Sequence, residues 1–293
     1  MVSNFWLTYH KVSAMIRKRL LKTIAGGDAV NDQEWMAAEQ EAAIRPVPQQ
    51  RIMEKVDECM SRKDYPGVER VLLYWLEEAK AGRDLRGQLM IRNELVGHYR
   101  KTGERNKAHE SAEDALRLLR ELDYENSVSA GTTWVNIATA YNSFGENQEA
   151  LALFEKAKRV YERSAGTDAS LLGGLYNNMG LTCAALGKYD EALALYEKAM
   201  ATMEDVPRGA LEQAVTCLNM ANAVEGKLGL EQGEGRINAL LDQGLALLDR
   251  PDIPRNGYYA YVCEHCAPTF DYYGYFLTAE DLRARAEALY ERA

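Results

Sequence analysis

Apolar and polar residues alternate at helical intervals along most of the chain, and two neighbouring stretches share the same pattern. In each, a large residue is followed by apolar or small residues three, four and seven positions later, then by a glycine, then by a small–large–small series. This pattern predicts two amphipathic helices joined by a turn at the glycine, which adopts the left-handed conformation without steric cost. The matched positions are Trp134, Ile137, Ala138, Tyr141, Gly145, Ala150, Phe154 and Ala157, and then Tyr176, Met179, Gly180, Cys183, Gly187, Ala192, Tyr196 and Ala199.

The predicted turn glycines are equally spaced. Gly103, Gly145, Gly187 and Gly229 follow one another at intervals of 42 residues. Weaker copies of the pattern surround the first and the last of them, the last with its frame slipped by one residue. Regular spacing on this scale indicates an array of structural repeats, each a pair of antiparallel helices.

Both ends of the array depart from this pattern. Residues 51–79 predict a shorter helix–turn–helix that is broken at Pro66-Gly67. Residues 270–293 recover the spacing, with Asp281 in place of the turn glycine. Each end is therefore predicted as a further helix pair.

The matched positions resemble the signature of the tetratricopeptide repeat (TPR), and the 42-residue period is similar to that of kinesin light chains and Leu-Gly-Asn-type adaptor proteins. The resemblance implies an all-α fold, a right-handed α-solenoid of antiparallel helix pairs, whose stacked repeats form a concave groove. We predict about six helix pairs over residues 51–293 and an N-terminal helical extension, a candidate cap, over residues 1–50.

The two helices of each clear repeat differ in charge. Residues 127–145 and 170–187 contain no Asp, Glu, Lys or Arg, whereas the helices that follow them carry both signs at i, i+4 offsets. A helix without a charged face does not face bulk water. The first helices are therefore predicted to be covered by the second helices on one side and to line the groove on the other.

The predicted groove lining is small, neutral and rich in amides. An Asn side chain offers a donor and an acceptor, which match the two polar groups of a peptide unit, so we expect an extended peptide or a partner helix as the ligand. Asn177 is assigned to ligand contact, whereas Asn136, Asn178 and Asn219 are assigned to joining or orienting neighbouring repeats; a purely packing role is the alternative for all of them. The candidate groove residues are Asn93, Arg100, Lys101, Thr139, Asn142, Asn177 and Asn222.

Charge along the groove suggests what the ligand is. Chaperone-binding TPR domains hold a C-terminal carboxylate with Lys or Arg at set positions, which here are Val135, Thr139 and Val215, so recognition of a Glu-Glu-Val-Asp tail is not expected. The first full repeat has five basic residues against two acidic ones, a surplus of +3 (5 − 2) in a chain of net charge −9. We expect one end of the groove to prefer an acidic ligand segment; a solvated basic helix is the alternative. The residues concerned are Arg83, Arg86, Arg92, Arg100, Lys101, Asp84 and Glu94.

Composition excludes several function classes. The hydrophobic and charged fractions, 47% and 27%, are typical of a soluble globular protein. The net charge of −9 opposes nucleic-acid binding, which needs clustered Lys and Arg. Five cysteines at largely apolar positions indicate reduced, buried thiols in a cytoplasmic protein. No run reaches the roughly 18 apolar residues that cross a bilayer, and no secretory signal is recognisable.

Catalytic chemistry is sparse. Cys263 and Cys266 flank His265 in a CxxC pattern, but a zinc site needs four ligands and the other cysteines lie in separate helical frames. The chain has only four His residues and no phosphate-binding glycine loop. We therefore predict a non-catalytic protein without a cofactor or a metal.

Residues 1–50 differ from the array. From Lys11 to Lys22 there are five basic residues and no acidic one, with Trp6, Val12, Ile16 and Leu20 on an apolar stripe, and an acidic stretch follows. Such a helix suits anionic lipid, a fold-back onto the acidic stretch, or a cap on the end of the array. The cap is the preferred interpretation, and membrane contact of residues 1–24 is not expected.

These observations predict a protein–protein interaction scaffold. Two alternatives stay open: a peptide-sensing regulatory module whose superhelix changes shape on binding, and structural self-assembly through the end repeats. Regulators of the first kind usually carry an N-terminal helix-turn-helix, which residues 1–50 do not show.

Overall fold

The computed structural model describes residues 44–207 and 209–291, and every regular element in these ranges is a helix. Residues 1–43, which carry most of the predicted N-terminal extension and its basic stripe, lie outside the described residues. The helices are α1 (Gln49–Ser61), α2 (Tyr65–Ala81), α3 (Leu85–Thr102), α4 (Arg105–Glu121), α5 (Val128–Ser143), α6 (Asn147–Arg163), α7 (Ala169–Ala185), α8 (Tyr189–Met203), α9 (Ala210–Leu248), α10 (Gly257–Tyr272) and α11 (Phe276–Tyr290).

The described residues up to 145 form one compact unit. In it, α1 packs on α2, α2 on α3, and α3 on both α4 and α5. Ile52, Leu72, Ile91 and Leu95 are fully buried in its core. Consecutive helices therefore pair, as the alternation of apolar positions predicts.

Side-chain caps fix where two of these helices begin. The Asp64 carboxylate accepts a hydrogen bond from the Gly67 amide (2.9 Å), so Pro66 and Gly67 lie in the first turn of α2. The predicted break at Pro66-Gly67 is thus wrong by a few residues, because proline is tolerated where helix amides have no intrahelical partner. Asp84 caps α3 in the same way through Gly87, and its second oxygen accepts from the Val47 amide (2.9 Å).

The described residues from 146 onward form a second compact unit. Here α7 packs on α6 and α8, α9 on α7, α8 and α10, and α10 on α11. Its core is continuous from Tyr196 on α8 to Phe270 on α10 and Leu282 on α11. No helix of the described residues has the length and apolar character that a membrane span requires.

The four equally spaced glycines all adopt left-handed backbone conformations. Their φ angles are 77° at Gly103, 81° at Gly145, 74° at Gly187 and 76° at Gly229, which confirms the predicted turns. At Gly229 the turn is a sharp break within α9, with ψ of 169°, so that residues 210–228 and 230–248 are two helical segments.

The last turn was predicted at the wrong residue. Gly274 has a φ of 84° and separates α10 from α11, whereas Asp281 lies within α11. Glycine adopts this conformation at no steric cost. Aligning the pattern with residue 270 as its first large position places the turn eleven residues later (281 − 270), which is seven residues past Gly274 (281 − 274).

Small residues let paired helices approach closely. A Cβ atom at Gly180 of α7 would lie 2.5 Å from Cε1 of Tyr196 on α8, whose side chain is fully buried. This contact confirms the close approach that the repeat pattern predicts at Gly180.

Candidate functional site

Five predicted groove residues lie in the unit that ends at residue 145, on helices α3 and α5, which pack against each other. Asn93 is half-buried, and its Nδ2 donates a hydrogen bond to Oγ1 of Thr133 (3.0 Å). Oδ1 of Asn93 is buried and makes no hydrogen bond. Thr139 is buried and Asn142 is half-buried near the end of α5. Asn93 thus joins two helices through its donor and retains an unsatisfied acceptor.

The two basic groove candidates are largely inside the protein. Arg100 is buried. Lys101 is half-buried, with Nζ 4.7 Å from the centroid of the Tyr65 ring, and burial lowers the pKa of its ammonium. A cation over an aromatic face is attracted by the ring quadrupole, so Lys101 is held at this place.

Other charges of the first full repeat are compensated within the same unit. Arg92 forms an ion pair with Asp114 of α4, and both side chains are largely buried. Arg86 lies over the Tyr124 ring, 5.6 Å from its centroid. The predicted surplus counted one helix alone, so it missed Asp114 on the next helix and overstates the local charge.

The same unit contains one group of potential metal ligands among the described residues. Ligand atoms of Glu69, His98 and Glu104 lie within 4.8 Å of one another. The ammonium of Lys107 donates to Glu69 (2.9 Å) and pairs with Glu104, and the Tyr99 hydroxyl also donates to Glu69 (3.0 Å). Burial lowers the pKa of His98. Lys107 therefore already supplies the cation that these carboxylates need.

In the unit from residue 146 onward, Asn177 joins α7 to α9. It is buried, and its Oδ1 accepts hydrogen bonds from Nδ2 of Asn219 (3.0 Å) and Oγ1 of Thr216 (3.3 Å). Asn177 therefore has a joining role that the sequence assigns only to its neighbours, and Asn178 is buried as well. Asn222 is exposed, and its Oδ1 accepts from the Tyr273 hydroxyl (3.0 Å).

Sequence reasoning missed the partners of Asn177, although the signal was present. Asn93, Asn177 and Asn219 are separated by whole multiples of the repeat, 84 and 42 residues (177 − 93 and 219 − 177). They therefore occupy the same position of the repeat, whereas Asn136 and Asn178 share another. Grouping Asn219 with Asn136 and Asn178 hides its correspondence to Asn177.

The CxxC pair lies in the interior of the second unit. Cys263 and Cys266 are both buried on α10, and burial raises the pKa of each thiol. Nδ1 of His265 is 2.7 Å from the Tyr261 carbonyl oxygen. A buried thiol with a raised pKa is a poor nucleophile and a poor metal ligand, because the thiolate is the reactive form.

One cleft of about 330 Å³ opens in the same unit. Arg255 lies over the Tyr259 ring, 4.1 Å from its centroid, and Arg285 donates to the Tyr259 hydroxyl (3.0 Å). Arg285 also pairs with Asp249 and Asp281. Since both guanidinium groups are held by internal partners, this cleft offers a balanced polar surface rather than a strong anion site.

Comparison with known proteins agrees with this architecture. The family model described as tetratricopeptide repeat matches residues 129–205. BtubC (BKLC) from P. vanneervenii is similar in structure, with 21% identity, a TM-score of 0.60, and coverage of 71% of this chain and 84% of that one. A putative kinesin light chain from Podosopora anserina with nearly identical TPR-like repeats is also similar in structure. Its sequence identity is 20% and its TM-score 0.51, and the match covers 68% of this chain and 92% of that one.

At these identities the structural likeness concerns the fold alone. A comparison with curated proteins gave no match. The matched family model covers helices α5 to α8, which contain the two clearest copies of the repeat pattern. Residues 129–205 thus match the tetratricopeptide repeat, and the chain has the fold of the TPR-like protein to which it is similar.

Proposed function

We propose that the protein is a non-catalytic interaction scaffold that binds an extended peptide or a partner helix along the neutral faces of its first helices. The observation that carries the proposal is the absence of charge on α5 and α7. Where side chains of α5 remain partly exposed, they include Asn136, Asn142 and Ser143. A face of this kind accepts the uncharged, hydrogen-bonding backbone of a ligand without desolvating an ion.

The amides divide into joining and binding groups. Asn177 is occupied by its bridge to α9, and Oδ1 of Asn93 is buried, so the amides proposed for ligand contact are Asn142 on α5 and Asn222 on α9. Oδ1 of Asn222 accepts a hydrogen bond from the Tyr273 hydroxyl, and Nδ2 of Asn222 makes no hydrogen bond within the described residues. That amine is a donor for a peptide carbonyl.

An acidic segment of the ligand is proposed to lie near α3. Arg100 and Lys101 are positioned by burial and by the Tyr65 ring, which reduces the entropy lost when they meet a carboxylate. Replacing the half-buried Lys101 by Glu is expected to weaken an acidic ligand at least tenfold and to leave a neutral ligand unchanged. Equal loss for both ligands would contradict a charge-based role.

The test is selection of peptides from a displayed random library on the immobilised full chain, followed by affinity measurement on variants. Asn142→Ala and Asn222→Ala are each expected to weaken the selected peptides by about tenfold, the value of one hydrogen bond of about 1.4 kcal/mol. Asn106→Ala, an exposed amide on α4, is the matched control and should leave affinity unchanged. Failure to select any peptide, or equal affinity for all three variants, would overturn the proposal.

The thiols support a reducing compartment for this activity. All five cysteines are free and buried in the described structure. Proteins of oxidising compartments commonly use such residues in disulfides. We therefore propose a cytoplasmic location for the scaffold.

A further inference from the structure

A cluster of exposed apolar side chains lies at the last two turns of the chain. We call it the C-terminal turn surface and define it by five residues whose relative exposures range from 37% to 83%: Leu228, Leu230, Tyr272, Phe276 and Leu277. Leu228 and Leu230 flank Gly229, and the other three flank Gly274. Large apolar side chains grouped on a surface mark an interaction site more often than single ones do.

Hydrogen bonds hold these two turns together. The Tyr272 hydroxyl donates to Oε1 of Glu225 (2.6 Å), and the Tyr273 hydroxyl donates to Oε2 of the same carboxylate (2.8 Å). Tyr273 also donates to Asn222 (3.0 Å). The apolar residues beside Gly229 and Gly274 therefore form one surface rather than two separate turns.

The surface is surrounded by uncompensated negative charge. Lys227 is paired with Asp190, and Asp271 with Arg283. Four carboxylates near the two turns have no ion-pair partner within the described residues, namely Glu225, Glu231, Glu234 and Glu280, and the exposed Arg236 lies close to Glu234 in the chain. The net charge of these five residues is −3 (1 − 4). An apolar patch with an acidic rim fits a segment that is apolar on one side and basic on the other.

The chain contains such a segment at its other end. Residues 5–22 have Trp6, Val12, Ile16 and Leu20 at helical spacing, and their only charged side chains are five Lys or Arg residues. Five positive charges are available to a rim of net charge −3, and an apolar stripe to an apolar patch. The complementarity is thus in both charge and hydrophobicity.

We propose that the C-terminal turn surface of one molecule binds residues 5–22 of a second copy. The two contacting regions are different parts of the chain, so the interface is heterologous, and head-to-tail association leads to a closed ring or an open filament. Binding uses the apolar side chains of the turn surface and not the faces of α5 and α7. Asn222, which accepts a hydrogen bond from Tyr273, is left unchanged in the variants below, so that loss of assembly and loss of peptide binding are distinguishable.

The test is complementation between two variants of the full chain, followed by multi-angle light scattering. The first variant carries Arg17→Glu, Lys18→Glu and Arg19→Glu, which removes the basic segment; the second carries Phe276→Glu and Leu277→Glu, which removes the surface. The measured mass of the wild type is expected to rise with protein concentration above the monomer mass of 32.9 kDa. The mass of each variant alone is expected to stay at the monomer value. An equimolar mixture should form a complex of twice the monomer mass and no larger, because it retains one working surface and one working segment.

Controls separate the interface from misfolding. Leu73 and Tyr74 are an exposed apolar pair on α2, and their replacement by Glu should leave assembly unchanged. Replacement of the exposed Glu231 and Glu234 by Lys, which touches no buried side chain, should weaken assembly at least tenfold.

Three results would overturn the proposal. The first is a wild type that stays monomeric at all concentrations, as docking of the segment onto its own chain would give. The second is assembly that survives either set of substitutions, which would place the interface elsewhere. The third is a mixture of folded variants that remains monomeric.

Discussion

Replacing Gly180 by Ala tests the close helix packing on which each repeat depends. The added Cβ would lie 2.5, 2.7 and 2.9 Å from three ring carbons of Tyr196, distances that real Cβ atoms essentially never show. The ring is fully buried, so it has no free space to enter. Overpacking of this kind costs about 1–3 kcal/mol, and the better helix propensity of Ala returns up to about 1 kcal/mol. We expect a net loss of about 1–2 kcal/mol.

The measurement is urea unfolding followed by far-ultraviolet circular dichroism, with Gly235→Ala as the matched control. Gly235 is an exposed helical glycine of α9 with no atom within 4 Å of the added Cβ, so Ala should stabilise there by about 0.5–1 kcal/mol. The two variants therefore differ in sign. A Gly180→Ala protein as stable as wild type, beside a stabilised Gly235→Ala protein, would refute the packing argument.

Three further changes follow from buried contacts. Asn177→Ala should lower stability by about 1–3 kcal/mol in thermal unfolding, because the buried amide of Asn219 loses its acceptor; a change below 0.5 kcal/mol would contradict the bridge. Arg92→Met should cost about 1.5–3 kcal/mol by leaving Asp114 without this partner, and adding Asp114→Ala should recover part of the loss in a double-mutant cycle. Burial raises the pKa of Cys217 from 9.0 to about 12, so above pH 9 the unfolded state binds fewer protons than the folded state and stability falls as pH rises, by up to about 1.4 kcal/mol per pH unit. Urea midpoints between pH 7 and 10.5 should fall less steeply for Cys217→Ala.

Much of the fold could be predicted because glycine adopts a left-handed turn at no steric cost, whereas the left-handed turns at Lys63, Arg83 and Asp123 carry no such signal. Gly103, Gly145, Gly187 and Gly229 all have positive φ, and their spacing alone gives the repeat length. The same reasoning failed at the C-terminus, where the pattern aligned on residue 270 places the turn at Asp281 instead of Gly274. That alignment puts Leu277 on an apolar position of the pattern (270 + 7), although it is the most exposed of the large apolar side chains described.

The candidate site was harder to predict than the fold. Neighbouring residues on a helix differ by about 100° in direction, so an error of one position exchanges a joining residue for a surface one. The sequence assigns Asn177 to ligand contact, whereas its side chain is buried and bonds to α9. The ion pair between Arg92 and Asp114 could not be predicted either, because ion pairs between helices depend on tertiary packing and not on the spacing of residues within one helix.

The bridge between Asn177 and Asn219 bears on how such a chain can lengthen. Its donor and acceptor lie 42 residues apart, one full repeat, so the same side chain in successive copies supplies both halves of the bond. A tandem duplication of one 42-residue segment in the gene would therefore bring a matching amide with it and require no second mutation at that junction. Adding a whole repeat therefore preserves this hydrogen bond between neighbouring repeats. An insertion of any other length would separate the donor amide from its acceptor.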